Sequence, residues 1–200
     1  MEYRVGLPEQ LRSSAAALYD EAFRQKFEPI VKDPAQRVAV LAEAICPEFA
    51  IVAIEADRLA GLVGFYEGGR SFTGGGTARG VIIRLGWLRG LWALVLFSFF
   101  QKNPTPGTLR MDGIVVDSAM RGKGIGNELL DRLVKYAREQ GWHQIRLDVV
   151  DSNPGARRLY ERKGFVPIRT KSHPFLSRLM GFSASTTMVK YLDRISDTHA

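Results

Sequence analysis

Cysteine is almost missing from the chain. Cys46 is the single one in 200 residues, which excludes a disulfide within the chain and fits a reducing compartment. It falls on what reads as an apolar helical face, so a packing role is expected rather than a nucleophilic one. Long apolar runs are missing as well. The longest uncharged part of the apolar segment from Val81 to Phe100, Gly90 to Phe100, is well short of the roughly 20 residues that span a bilayer, and Arg84 and Arg89 lie beside it. The opening residues, MEYRVGLPEQ, lack the charged and apolar pattern of an export signal, so a cytoplasmic location is expected. Negative charge is in deficit, with 28 Lys and Arg against 21 Asp and Glu and a net charge of +7. The basic residues are scattered and carry no recognition motif, so no specific nucleic-acid partner is expected. An apolar content of 46% and this length suit one globular domain over 1–200.

What is present is concentrated between Met111 and Gly126, MDGIVVDSAMRGKGIG. Alternation predicts a strand with Met111, Gly113 and Val115 on one face and Asp112, Ile114 and Val116 on the other. The strand runs into a glycine-rich turn that opens a helix. Gly122, Gly124 and Gly126 let the backbone approach a ligand closely, and the amides that begin the helix point at that ligand with the favourable end of the helix dipole. Arg121 and Lys123 add positive charge, so a pyrophosphate would fit there. The helix has Leu129, Leu130, Leu133, Val134 and Ala137 at helical spacing, and Gly141 ends it. No P-loop is present, since GxxxxGK followed by Ser or Thr is lacking. The alternating glycines of GKGIG do not make GxGxxG, and too few residues remain for a doubly wound sheet. A structural turn without a ligand is the plain alternative for the glycines alone.

A second segment, LDVVDSNPGARRLYERKGF, covers Leu147 to Phe165. A strand from Gln144 to Val150 buries Ile145, Leu147 and Val149 on one face. Asn153 reads as an N-cap and Pro154 as the first helical residue, with Gly164 just past the helix end. Asn153 and Tyr160 are about two helical turns apart and share a face with Ala156.

Together these segments closely resemble the GNAT superfamily of acetyl-CoA-dependent N-acyltransferases, whose cofactor motif reads (Arg/Gln)-x-x-Gly-x-(Gly/Ala). Arg121-Gly122-Lys123-Gly124-Ile125-Gly126 matches it, and the spacing of Asn153 and Tyr160 with the closing Lys163-Gly164-Phe165 matches the family's second motif. The strong match covers roughly Leu109 to Val166; the N-terminal half agrees in layout only. The resemblance implies an α/β (α+β) fold with a central, mixed but mostly antiparallel sheet of six to seven strands flanked by helices. It implies acetyl-CoA as co-substrate, no metal, and a small-molecule or peptide amine as acceptor, attacked directly in a ternary complex. Backbone groups of Ile114, Val115 and Val116 would hold the pantetheine arm and thioester carbonyl, amides from Arg121 to Gly126 the pyrophosphate, and Asn153 the cofactor arm. Tyr160 would protonate the departing thiolate. Asp112 or Asp148 would accept the amine's proton, directly or through water, while His143 is expected to be exposed. A non-catalytic acyl-CoA sensor or partner-binding module on the same fold, and a longer acyl donor, stay open.

Upstream, a strand near Tyr3 to Val5 leads to a helix from about Pro8 to Gln25 with Leu11, Ala15, Leu18 and Ala22 on one side. A second helix starts at Asp33-Pro34, with Asp33 and Gln36 as a capping box. Strands at Phe49 to Glu55 and Leu59 to Tyr66 flank a turn at Ala56 to Arg58. The chain departs from the family between Gly68 and Gly107, an insertion between strands 3 and 4. A glycine-rich hinge or lid is followed by VIIRLGWLRGLWALVLFSFF from Val81 to Phe100. Three readings compete: an apolar cover over the acceptor end using Trp87, Trp92, Phe97 and Phe99, a homodimer or partner surface, and an amphipathic segment at 81–100 resting on a membrane. After a loop from Lys171 to Gly181, a strand from Thr186 to Leu192 would pair with Phe165 to Ile168. Ser196 to Ala200 are expected to fray.

Overall fold

The computed structural model describes residues 1–28, 31–75, 105–172 and 181–192. The expectations for Trp87, Trp92, Phe97 and Phe99, for 81–100 as a whole, for most of the loop ending at Gly181 and for the last residues lie outside the described residues. In chain order the elements are β1 (Glu2–Val5), α1 (Arg12–Phe27), α2 (Pro34–Ala44), β2 (Ala50–Glu55), β3 (Arg58–Glu67), β4 (Arg70–Ser71), β5 (Thr108–Val116), α3 (Ile125–Glu139), β6 (Gln144–Val150), α4 (Pro154–Arg162), β7 (Val166–Ser172) and β8 (Ala184–Tyr191). The sheet runs β1-β2-β3-β5-β6-β8-β7, with the two-residue β4 folded back on β3. Among the described residues only β5 and β6 run parallel; the other pairs are antiparallel. That one parallel step needs a crossover, which α3 supplies.

Local chemistry explains most of these elements. The hairpin between β2 and β3 turns at Ala56 and Asp57, both left-handed with φ of 47° and 61°, a geometry that matches the twist of the strands. β2 and β3 read as continuous apolar runs because helices cover both their faces. Ile51, Ala53, Val63 and Phe65 share a core with Leu129, Leu130 and Leu133 of α3 and Tyr160 of α4. Ala50, Val52, Ile54 and Leu62 alternate with them and pack under Leu11, Ala15, Leu18 and Leu41 of the α1 and α2 layer.

The first helix departs from the expected pattern at both ends. Glu9–Leu11 forms a short 3-10 turn before α1, and Phe23 leaves helical geometry with φ of −117°. Ala22 is exposed, and the buried side passes through Tyr19 instead. Asp33 caps α2 by accepting from the Ala35 amide at 2.9 Å rather than through a box with Gln36. Cys46 is buried but lies past the end of α2, in the link to β2, not on a helical face.

Two arginines lock the α1 and α2 layer. Arg12 Nη1 donates to the carbonyls of Ala42 at 3.0 Å and Ile45 at 2.7 Å, satisfying the last turn of α2. Arg37, 3% exposed, meets Asp20 through Nε at 2.8 Å and Nη2 at 3.1 Å. Its Nη1 donates to the carbonyls of Val31 and Lys32, each at 2.9 Å. One guanidinium therefore fixes α1, α2 and the link between them. Asp20→Ala would strand that charge in the interior and should lower stability by about 3–5 kcal/mol, read as a shift of the urea midpoint. A loss below about 1 kcal/mol would mean that the pair is dispensable.

Candidate active site

The two parallel strands pair only over Thr108↔Gln144, Leu109↔Ile145 and Arg110↔Arg146. Beyond that rung β5 stays with β3 as far as Val116, while β6 stays with β8 as far as Val150. The strands part, and the main-chain groups of β5 on the side of β6 have no strand partner among the described residues from Met111 onward. A row of unpaired amides and carbonyls inside a sheet is a place for a ligand that can hydrogen-bond like a strand.

A bulge marks the point of parting. Gly64 pairs with Gly113 and Phe65 with Met111, so Asp112 is an extra residue on β5, and an extra residue bends and twists its strand. It also switches the alternation, which corrects the expected faces. Met111 packs with Ile114 and Val116 on the α3 side, while Val115 packs with the α1 and α2 layer. Gly113 faces that layer too, because a Cβ there would lie 2.6 Å from Phe23 Cζ and 3.0 Å from the Tyr19 hydroxyl. Asp112 accepts from Thr73 Oγ1 at 3.1 Å. It lies close enough to Tyr19 to act on it: burial first, and then the Asp112 charge, push the Tyr19 phenol well above its ordinary range.

At the far end of β5, Asp117 caps a 3-10 turn by accepting from Ala119 N at 2.9 Å, and Arg121 Nε reaches back to the Val116 carbonyl at 3.3 Å. Gly122 and Gly124 are left-handed, with φ of 81° and 80°, and open space lies where a side chain would stand. Gly124 is the N-cap of α3, and no side chain caps the helix. The Glu128 amide, bonded to Gly124 O at 3.1 Å, begins the helical ladder, so the amides of Ile125, Gly126 and Asn127 point out of the helix end. With Arg121 and Lys123 exposed beside them, this end fits a diphosphate. Gly126 sits inside the helix against Leu159 of α4, where a Cβ would be 3.6 Å from Leu159 Cδ2.

The second motif flanks the opening from the β6 side. Asn153 Oδ1 accepts from the Ala156 amide at 3.0 Å, and Pro154 starts α4. The exposed Asn153 keeps its amide NH2 available. Tyr160 does not share that exposure. It is 5% exposed, its ring centroid is 6.0 Å from that of Phe165, and its hydroxyl makes no hydrogen bond to a described residue. Burial raises its pKa well above the ordinary phenol value, so it holds its proton at neutral pH.

Asp148 is engaged differently from Asp112. Its Oδ2 receives Arg110 Nη2 at 2.7 Å, and its Oδ1 receives Thr187 Oγ1 at 2.5 Å. This bridge joins β5 to β6 just where they part. No sequence pattern marks Arg110, Thr187, Thr73 or Tyr19. Only the polar members of β6, alternating with Ile145, Leu147 and Val149, hinted at a functional face. His143 is exposed. Among the described residues no group of three or more His, Cys, Asp or Glu is placed to hold a metal, and no helix is long and apolar enough to cross a membrane.

Residues 15–165 match the model of the acetyltransferase (GNAT) family. The chain is 31% identical over 105 residues to N-alpha-acetyltransferase MAK3 of Arabidopsis thaliana, a match covering 46% of this chain and 55% of that protein. It is 35% identical over 74 residues to mycothiol acetyltransferase of Beutenbergia cavernae, covering 37% of this chain and 25% of the relative. The chain thus spans about half or less of the curated relatives it matches. Its fold is similar to that of yncA from Salmonella typhimurium, solved with its cofactor acetyl-CoA, with a TM-score of 0.60 and 18% identity over 100% of this chain and 98% of the other.

Two phenols, Tyr160 buried and Tyr136 half-buried, make the molecule sensitive to alkali. Tyr160, and Tyr136 bonded to Glu67 Oε2 at 2.8 Å, both have raised pKa values, burial being the first cause for each. In the unfolded chain these phenols ionise near pH 10 while the folded ones stay protonated, so stability holds below about pH 10 and falls above it. Urea unfolding between about pH 9 and 11 should show this fall, and Tyr160→Phe should flatten it. Equal slopes would show that Tyr160 is not desolvated.

Proposed function

The chain belongs to the acetyltransferase (GNAT) family, and on that footing we propose that it moves the acetyl group of acetyl-CoA to a primary amine of a small molecule or peptide. The observation that carries this reading is the parting of β5 from β6 directly ahead of an uncapped helix end. The pantetheine arm takes the place of the missing strand along Ile114, Val115 and Val116, and the diphosphate lies on the amides between Arg121 and Gly126. Asn153 donates its free amide N–H to the arm. A single buried cysteine is consistent with work in a reducing, cytoplasmic setting.

The chemistry then follows from what faces the cleft. The amine lone pair attacks the thioester carbonyl carbon, the C–S bond breaks, and the thiolate takes the proton of Tyr160. The proton lost by the nitrogen passes to Asp112, directly or through water, from the face that the bulge turns toward α1. Asp148 is the weaker candidate for that step, because both its oxygens are already bonded and a further proton would break one of those bonds. We assign it the positioning of Arg110.

Tyr160→Phe removes only a hydroxyl with no described partner, so the fold should persist. Turnover with acetyl-CoA and an amine should fall about 10²-fold, with the KM for acetyl-CoA nearly unchanged. Thiol release measured against a panel of amines gives the rate, and calorimetry gives coenzyme A affinity. An unchanged rate removes Tyr160 from the mechanism. Tight coenzyme A binding without turnover of any amine would favour an acyl-CoA sensor, and no binding at all would overturn the reading.

A further inference from the structure

On β6, Ile145, Leu147 and Val149 enter the core beneath α3 and α4, so Gln144, Arg146 and Asp148 belong to the opposite face. Their neighbours there are set by register: Arg146 stands beside Arg110 on β5 and Val189 on β8. The pair Arg110↔Arg146 is the last rung before the strands part, which puts Arg146 at the floor of the cleft.

The other polar groups around it are committed. Gln144 Nε2 donates to Thr108 Oγ1 at 2.7 Å, and Arg110 and Thr187 occupy the two oxygens of Asp148. Arg146 has no such partner among the described residues: its Nε is buried and makes no hydrogen bond, although the residue as a whole is only half-buried. A buried guanidinium N–H left unpaired is costly and uncommon. Among the described residues, the carboxylate placed at this rung is that of Asp148, and it is bonded to Arg110 and not to Arg146. Farther out on the same face, Arg169 is the partner of Thr187 and Lys171 of Ser185, both exposed, so the positive potential extends to the sheet edge. The cofactor's diphosphate does not explain this charge. Its proposed seat lies past Val116, about 20 Å along β5 from the Arg110 rung at 3.3 Å per residue.

We infer that the amine acceptor carries an acid group, a carboxylate or a phosphate, and that Arg146 binds it. The planar fork of a guanidinium suits either anion, and Arg169 and Lys171 steer the acceptor in from the edge. This inference rests on the acetyl-transfer reading for the word acceptor, but not for the anion site itself.

The test compares probes that differ only in the acid: glycine with glycinamide, 4-aminobutyrate with its amide, and phosphoethanolamine with ethanolamine. Calorimetry on coenzyme A-loaded protein should find at least one acid probe bound about tenfold or more tighter than its neutral partner. The carboxylates and the phosphate separate the two kinds of anion. Arg146→Gln should abolish the preference and Arg146→Lys should keep part of it. In thiol release the same preference should appear in KM. Equal affinity within every pair for the wild-type protein overturns the inference, whether or not the variants fold. A preference that survives in folded Arg146→Gln overturns the assignment of Arg146. Absence of turnover with a clear binding preference counts against acetyl transfer and supports the anion site.

Discussion

The separation of β5 from β6 after three paired residues is the constraint from which the remaining architecture follows. An interior strand normally satisfies its backbone on both edges, and leaving one edge open is tolerable only where water or a ligand can enter. The bulge at Asp112 meets this demand in one step. It bends β5 away from β6 and, by adding one residue, lets Ile114 and Val116 pack beneath α3 while Gly113 and Val115 pack beneath α1. Without it, counting back from Val116, Asp112 would face α3 rather than Tyr19 and Thr73. The same residue that opens the cleft thus sets a carboxylate on the side from which a second substrate can approach.

Rigidity is distributed to suit that opening. β2 and β3 are buried on both faces, and β3 holds β5 along the edge away from β6, while the Arg110 to Asp148 bridge ties β5 to β6 at the point where they diverge. On the far side, Arg37 and Asp20 fix the α1 and α2 layer through bonds that reach three separate segments. The cleft is open because its two walls are anchored to different neighbours, not because either wall is loose.

Much of this was legible in the sequence wherever one period ran unbroken. The apolar stripe of α3, the alternation of β6, the Asn-Pro start of α4 and the glycine turn all form as expected, since each rests on short-range rules. The sheet of mostly antiparallel strands and the family also followed from two ordered motifs. The bulge was not legible: one inserted residue changes no composition and leaves the pattern locally regular on both sides. Nor was the link between Arg110 and Asp148, which depends on which strands become neighbours. Ala22 fits a helical stripe by spacing, yet it is exposed, one residue before the break at Phe23. Cys46 looked helical because its apolar neighbours continue past the point where α2 stops at Ala44.

The excess positive charge also divides along the axis of β5. Arg121 and Lys123 stand at its C-terminal end, beside the free amides of α3, where a diphosphate is the natural complement. Arg110 and Arg146 stand at the other end, with one carboxylate between them, and Arg169 and Lys171 continue the charge outward. A single binding event at the helix end would leave this second group uncompensated, because an exposed charge about 20 Å away is screened well within that distance at physiological salt. Two separated anions, one at each end of an open strand, would satisfy both groups. An amine tethered to the nearer anion would be delivered to a thioester tethered by the farther one, and the unpaired stretch between Met111 and Val116 would supply the surface along which they meet.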